Sequence, residues 1–190
     1  MSVTKKIDLQ SHVFSGISSV FAVANGLPDG LDVSSKNLLE FPVSEDSGFN
    51  FDTGSPSVEH FKVKGLNADW VNTFTPGDGE IKLEIPCNDT GILELVGMTK
   101  TAASLTLPQG VSTIGTAGAG YTYAVPQKAV YLGLLILNDT EDQLLFIKKA
   151  KLMAQIIFDG SNKPLCVVLT GAISAAASTD AIGICTIAEP

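Results

Sequence analysis

Apolar and polar residues alternate most regularly in Glu80-Ile81-Lys82-Leu83-Glu84-Ile85, the period-two pattern of a strand with one face in a core and the other in water. Thr75-Pro76-Gly77-Asp78-Gly79 turns the chain into this strand and Pro86 closes it. Residues 17–24, with Val20, Phe21 and Val23, read as a short strand stopped by Asn25-Gly26-Leu27-Pro28-Asp29-Gly30, and residues 38–43 read as a second. Residues 58–66 predict a half-buried strand, with Phe61 and Val63 on one side and His60, Lys62 and Lys64 on the other. In the last third the apolar residues become consecutive, as in Leu134-Leu135-Ile136-Leu137 and in Ile156-Ile157-Phe158. Strands of that kind are covered on both faces. They are predicted at 129–137, 144–158, 165–175 and 181–187. The links 138–143, 159–163 and 178–180 are of hairpin length, which predicts an antiparallel meander. A strand of about 15 residues reaches roughly 50 Å at ~3.3 Å per residue, longer than a compact domain needs, so part of it is expected to be covered from outside the monomer.

One helix is predicted. Asn88 or Asp89 can cap it, Ile92, Leu93 and Val96 share a side, and Gly97 stops it. Three segments carry no such pattern: an N-terminal arm at about 1–12, a long loop at 44–57, and a Gly, Thr, Ala and Ser stretch at 107–120. The 44–57 loop holds Phe49 and Phe51 among polar residues, and the 107–120 loop has only Val111 and Ile114 of any size. Apolar side chains on loops without a core of their own are expected to meet a partner. Phe49, Phe51 and the adjacent Asp52, with Val111 and Ile114, are therefore the candidate inter-subunit contacts. The whole reads as one domain over 1–190, mainly β, an antiparallel β-sandwich or half-barrel with one short flanking helix.

The length of 190 residues suits a single domain with arms, and an apolar fraction of 45% with 17% charged residues is too apolar for disorder. The net charge is −8, and all 12 basic residues are lysine. Such a chain repels phosphate backbones and lacks the planar guanidinium fork that grips them, which argues against nucleic-acid binding. Cys87, Cys166 and Cys185 are an odd number at wide spacing without a CxxC pair. They suit neither a disulfide framework nor a zinc site and read as reduced, small apolar fillers. Residues 13–24 imitate a secretory signal after Lys5-Lys6, but Asp8, Gln10, His12 and Ser15 spoil the pattern, and no apolar run reaches the ~18 residues of a membrane span. Synthesis in the cytoplasm is the expectation. The sequons at Asn88 and Asn138 read as turn or cap residues.

Candidate chemistry is sparse. Phe51-Asp52-Thr53-Gly54-Ser55 and Asp89-Thr90-Gly91 echo the aspartic protease triplet, whose mechanism needs two aspartates sharing a proton. Their spacing is too short for two lobes, so a loop and a helix cap are the expected roles. Gly115-Thr116-Ala117-Gly118-Ala119-Gly120 matches no phosphate-loop pattern. His12 and His60 stand alone, and Trp70, Tyr121 and Tyr123, without a basic surround, read as core. No catalytic, cofactor-binding or metal-ligating residue is assigned, and no cofactor is expected.

The order of these elements resembles the tail tube proteins of long-tailed bacteriophages. The likeness runs through Ser19 to Ala24, through Phe49-Asn50-Phe51-Asp52-Thr53-Gly54-Ser55-Pro56-Ser57-Val58-Glu59-His60 into Lys62-Val63-Lys64-Gly65, and through Thr75-Pro76-Gly77-Asp78 before the strand at 81–85. It continues through the helix ending Leu95-Val96-Gly97 and the late hairpin ending Thr170-Gly171. The Gly-rich stretch 110–120 has no place in it. The resemblance implies a non-enzymatic virion protein, with the fold shared by the tube of type VI secretion. Hexameric rings would stack into a conduit through which DNA passes without specific binding. Implied partners are other copies of the chain, the tail terminator, baseplate and tape-measure proteins, with a sheath where the tail contracts, and no membrane. The other readings are a capsid decoration or pilus-like subunit and a carbohydrate-binding β-sandwich.

Overall fold

A computed structural model of the chain describes residues 13–43, 48–62, 64–65, 71–86, 89–106, 117–124, 126, 128–158, 160, 164–174 and 181–187. The expected arm at 1–12, together with Val111, Ile114, Trp70, Cys87, Asn88 and His12, lies outside the described residues. The fold is mainly β and antiparallel. The main sheet is built from β1 (Ser19–Ala24), β2 (Leu39–Phe41), β3 (Phe49–Asp52), β6 (Glu80–Ile85), β9 (Val130–Leu137), β10 (Gln143–Ile157), β11 (Cys166–Ile173) and β12 (Ile182–Thr186). Two further strand pairs stand apart as ribbons: β4 (Ser57–Phe61) with β5 (Val71–Thr75), and β7 (Lys100–Thr106) with β8 (Ala117–Tyr123).

The main sheet runs β2-β1-β9-β10-β11-β6-β3 without closing into a barrel, and β12 joins it through β10. Alternate residues of every strand on this path point to one continuous core, among them Val20, Phe41, Ile81, Leu83, Leu134, Ile147, Leu152 and Leu169. The helix α1 (Thr90–Leu95) adds Ile92 and Leu93 to the same core, with Val96 and Met98 following it. Asp89 caps the helix by accepting from the Gly91 and Ile92 amides at 2.8 and 3.4 Å. Gly97 ends it at φ +88°, a left-handed conformation that costs glycine nothing. On the far side of the sheet, the segment after β1 folds back so that Leu27, with Val23, covers Leu135 and Phe146. Gly133 makes that fold-back feasible, because a Cβ there would lie 2.6 Å from the Leu27 nitrogen. The consecutive apolar residues of β9 therefore have two cores to fill, as their pattern predicted, whereas Ile156, Ile157 and Phe158 at the end of β10, expected to be covered on both faces, stay substantially exposed.

Three expectations are corrected. The late strands are not a simple meander: β12 pairs with the first third of β10, Gln143 to Ile147, while β11 pairs with the rest, Ala150 to Ile157. The exchange happens at a bulge, since Leu134 lies opposite Ile147 but Leu132 lies opposite Ala150. The extra residue frees the backbone of Lys148 for other work. Its carbonyl accepts from the Leu27 amide at 2.7 Å and its amide donates to Ala181 at 2.9 Å, so the bulge anchors both the fold-back and the arrival of β12. Second, the 44–57 loop contains β3, in which Phe49 and Phe51 are half-buried against the chain's own core. Third, residues 117–120 of the expected 107–120 loop belong to β8.

Candidate assembly interface

Each of the two ribbons forms a two-stranded sheet separate from the main one. In β4–β5, Val58 faces Phe74 across the strands and His60 faces Asn72, with His60 Nδ1 3.1 Å from the Asn72 side-chain oxygen. Every residue of β4 is exposed; Phe61 keeps 59% of its surface in water and Phe74 keeps 69%. The strand expected to be half-buried at 58–66 is instead exposed throughout its described span, Ser57–Phe61. In β7–β8, Leu105 stands opposite Gly118, which has no side chain to shield it, and is 61% exposed. Tyr121 is 52% exposed, with the Lys100 ammonium 5.4 Å from its ring centre. Lys100 also pairs with Glu94 at 2.9 Å, which ties the ribbon's base to α1 and holds the lysine pKa above its ordinary value. Of the tyrosines expected in the core, Tyr123 does pack on it.

A second exposed region is the end of β10. Its pairing with β9 stops at Leu152–Val130, yet the strand continues to Ile157 against β11 alone. Met153, Ile156, Ile157 and the following Phe158 are all substantially exposed there. Between this overhang and Tyr123, Ala124 and Pro126 lies an apolar groove of about 500 Å³. β12 is similar in character, with Ile184 and Cys185 exposed. Cys185 is not the buried filler expected of it, and Cys166 is half-buried.

Of the predicted contact residues, Phe49 and Phe51 are half-buried against the chain's own core, so the premise that they lack one fails. Asp52 sits exposed at the end of β3, where its carboxylate accepts from the Gly54 amide at 2.8 Å. Asp89 makes the same local bond at the helix start. Both protease-like triplets are thus a turn and a cap, each aspartate bonded to the amide two residues on. Asp52 and Glu80 lie across from each other in the β3–β6 pair, beside Lys82, which forms an ion pair with Glu84 at 2.8 Å that raises the lysine pKa. No group of three or more His, Cys, Asp or Glu side chains among the described residues is arranged to hold a metal ion. No helix among them is long and apolar enough to cross a membrane. The exposed rings that sequence reasoning missed include Phe61, Phe74, Tyr121 and Phe158. The alternation of Val71-Asn72-Thr73-Phe74-Thr75 marked the second ribbon strand, but periodicity cannot tell a strand on a core from one projecting into water.

No family model and no curated protein matches the chain. A solved structure described as the cryo-EM structure of the anti-feeding prophage (AFP) baseplate, 6-fold symmetrised, aligns over 97% of both chains at 14% identity with a TM-score of 0.44. A likeness at that level carries no argument about function.

Proposed function

We propose that the chain is a structural subunit of a phage-tail-like particle, of the tail tube type, whose copies close into hexameric rings that stack into a conduit for DNA. The observation that carries this reading is the pair of ribbons holding Phe61, Phe74, Leu105 and Tyr121 in solvent. A two-stranded hairpin is marginal by itself in water, and burying one such side chain on a neighbour is worth roughly 1.5–3 kcal/mol. Ribbons of this kind gain their stability when another copy covers them. The charge of −8 without arginine suits a wall past which DNA slides without adhering. On this reading the subunit is made in the host bacterial cytoplasm, ends in the virion tail, takes no cofactor and does no catalysis. Its further partners are the tail terminator, baseplate and tape-measure proteins. Mass photometry of the purified chain over a rising concentration series tests the proposal. Growth from monomer to hexamer and beyond supports it, and a monomer persisting at the highest concentration refutes it.

A further inference from the structure

The ribbon β4–β5 continues the β3–β6 pair of the main sheet. Asp52 opposes Glu80 at the last rung of β3–β6, and Ser57 opposes Thr75 at the first rung of β4–β5. Each chain therefore contributes four residues between the two ladders, 53–56 on one side and 76–79 on the other. Equal lengths keep the register, and an even number keeps each side chain on its face. The two pairs are one antiparallel hairpin, 49–61 against 71–83, whose ladder is interrupted in the middle.

The residues themselves impose the interruption. Continuing the register sets Pro56 opposite Pro76, Ser55 opposite Gly77, Gly54 opposite Asp78 and Thr53 opposite Gly79. Neither proline has an N–H to give to a ladder. Gly54 stands at φ +82°, outside strand geometry, and its amide is taken by the Asp52 carboxylate. Among the described residues no main-chain hydrogen bond joins 53–56 to 76–79. The two chains nevertheless touch, main chain against main chain. A Cβ on Gly54 would lie 2.5 Å from the Asp78 carbonyl oxygen, one on Gly77 2.5 Å from that of Ser55, and one on Gly79 2.7 Å from that of Asp52. Open clefts of about 360 and 420 Å³ flank this crossing, one beside Asn50 and Lys82, the other beside Ala172 and Ile173.

We infer that residues 53–56 and 76–79 form a two-stranded hinge, about which β4–β5 turns as one arm while β3–β6 stays fixed in the main sheet. Hinges are a few residues at element ends that absorb large changes of φ and ψ. Here glycine supplies that freedom on both chains. The opposed prolines keep the ladder from closing through the break, and the shared register lets both strands bend together without sliding. Val58 and the Phe74 opposite it lie on one face of the arm, and Phe61, three residues on, lies on the other. Turning the arm therefore decides which of its exposed rings a partner surface meets. The hinge is a property of the single chain and does not depend on ring formation.

Spin-label distances in the full chain, held dilute enough to be monomeric by mass photometry, test it. In a background carrying Cys87→Ser, Cys166→Ser and Cys185→Ser, nitroxide labels are placed at exposed positions. Thr73→Cys with Lys151→Cys spans the break, and Asn50→Cys with Lys151→Cys stays within the main sheet. Double electron–electron resonance is expected to give a broad distance distribution for the first pair and a narrow one for the second. Glu59→Cys with Thr73→Cys puts labels on directly opposed residues of the arm, about 4.5–5.5 Å apart at Cα, and should show strong dipolar broadening. Deleting 53–56 together with 76–79 joins Asp52 to Ser57 and Thr75 to Glu80 in unchanged register, and should narrow the distribution across the break to that of the sheet pair. A parent distribution across the break as narrow as the sheet pair would overturn the hinge. Loss of broadening between residues 59 and 73 would overturn the arm as a single body. A folded deletion variant that stays broad would overturn the break as the pivot, and if that variant does not fold, the parent pairs decide alone.

Discussion

Replacing Asn138 tests how the β9–β10 hairpin is held. Asn138 is 1% exposed, and both its side-chain nitrogen and its oxygen are hydrogen-bonded inside the turn. The oxygen accepts from the buried Gln143 amide at 2.9 Å, and the nitrogen donates to Thr140 Oγ1 at 2.8 Å and to Asp142 Oδ1 at 2.7 Å. Asn138→Ala removes all three, among them the bond from the buried Gln143 amide, which costs about 1–3 kcal/mol. At roughly 2–4 °C per kcal/mol for a domain of this size, the melting temperature should fall by about 2–12 °C. Asn138→Asp keeps the bond from Gln143 but sets a second carboxylate against Asp142. In the native protein, bonds from Thr140 and Asn138 hold the Asp142 carboxyl below its ordinary range. Its contribution to stability is present above the unfolded pKa and is lost as pH falls through the lower, folded one. In Asn138→Asp the facing carboxylates share a proton more readily than they both ionise, so the folded pKa of the pair rises. That variant should gain stability relative to the parent as pH drops from 7 to about 4.5, opposite in sign to the acid limb of the parent. Thermal melts by circular dichroism at the two pH values measure both effects. An unchanged melting temperature in Asn138→Ala, or a deficit in Asn138→Asp that does not narrow on acidification, would refute the reasoning.

Asp89→Ala removes the cap of α1 and should cost about 0.5–2 kcal/mol in urea titrations with the m-value unchanged. Leu83→Ala empties a fully buried position in β6 and should cost about 2–5 kcal/mol, read in the same titrations. Phe49→Ser should destabilise the isolated subunit because the ring packs on its own core. Phe61→Ser with Phe74→Ser should leave subunit melting nearly unchanged and suppress assembly measured by sedimentation velocity.

What could be read from the sequence follows from which physical signals are local. β6, β1 and α1 were legible because alternation, a cap and a terminal glycine lie within a few residues of one another. β10 was legible in length, but the consecutive apolar residues at its end, read as covered on both faces, are exposed in the subunit. β3 was not, although Phe49-Asn50-Phe51-Asp52 alternates, because the surrounding Ser, Asp, Gly and Pro outweighed four residues of pattern. β8 was missed because Ala-Gly-Ala-Gly-Tyr-Thr-Tyr has little side chain to show a period; its strand comes from pairing with β7. The return of β12 to β10 depends on the bulge at Lys148, a tertiary event with no local signature. For the candidate interface, the sequence pointed to exposed apolar side chains on segments without a core. It placed them at Phe49 and Phe51, where the structure places them on the ribbons and the β10 overhang.

Whether further copies of the same chain cover these surfaces can be seen by negative-stain electron microscopy of the concentrated, untagged protein. Rings whose averages show six-fold symmetry are expected, together with stacks of those rings forming hollow tubes. Monodisperse monomers or compact trimers at the same concentration would contradict this expectation.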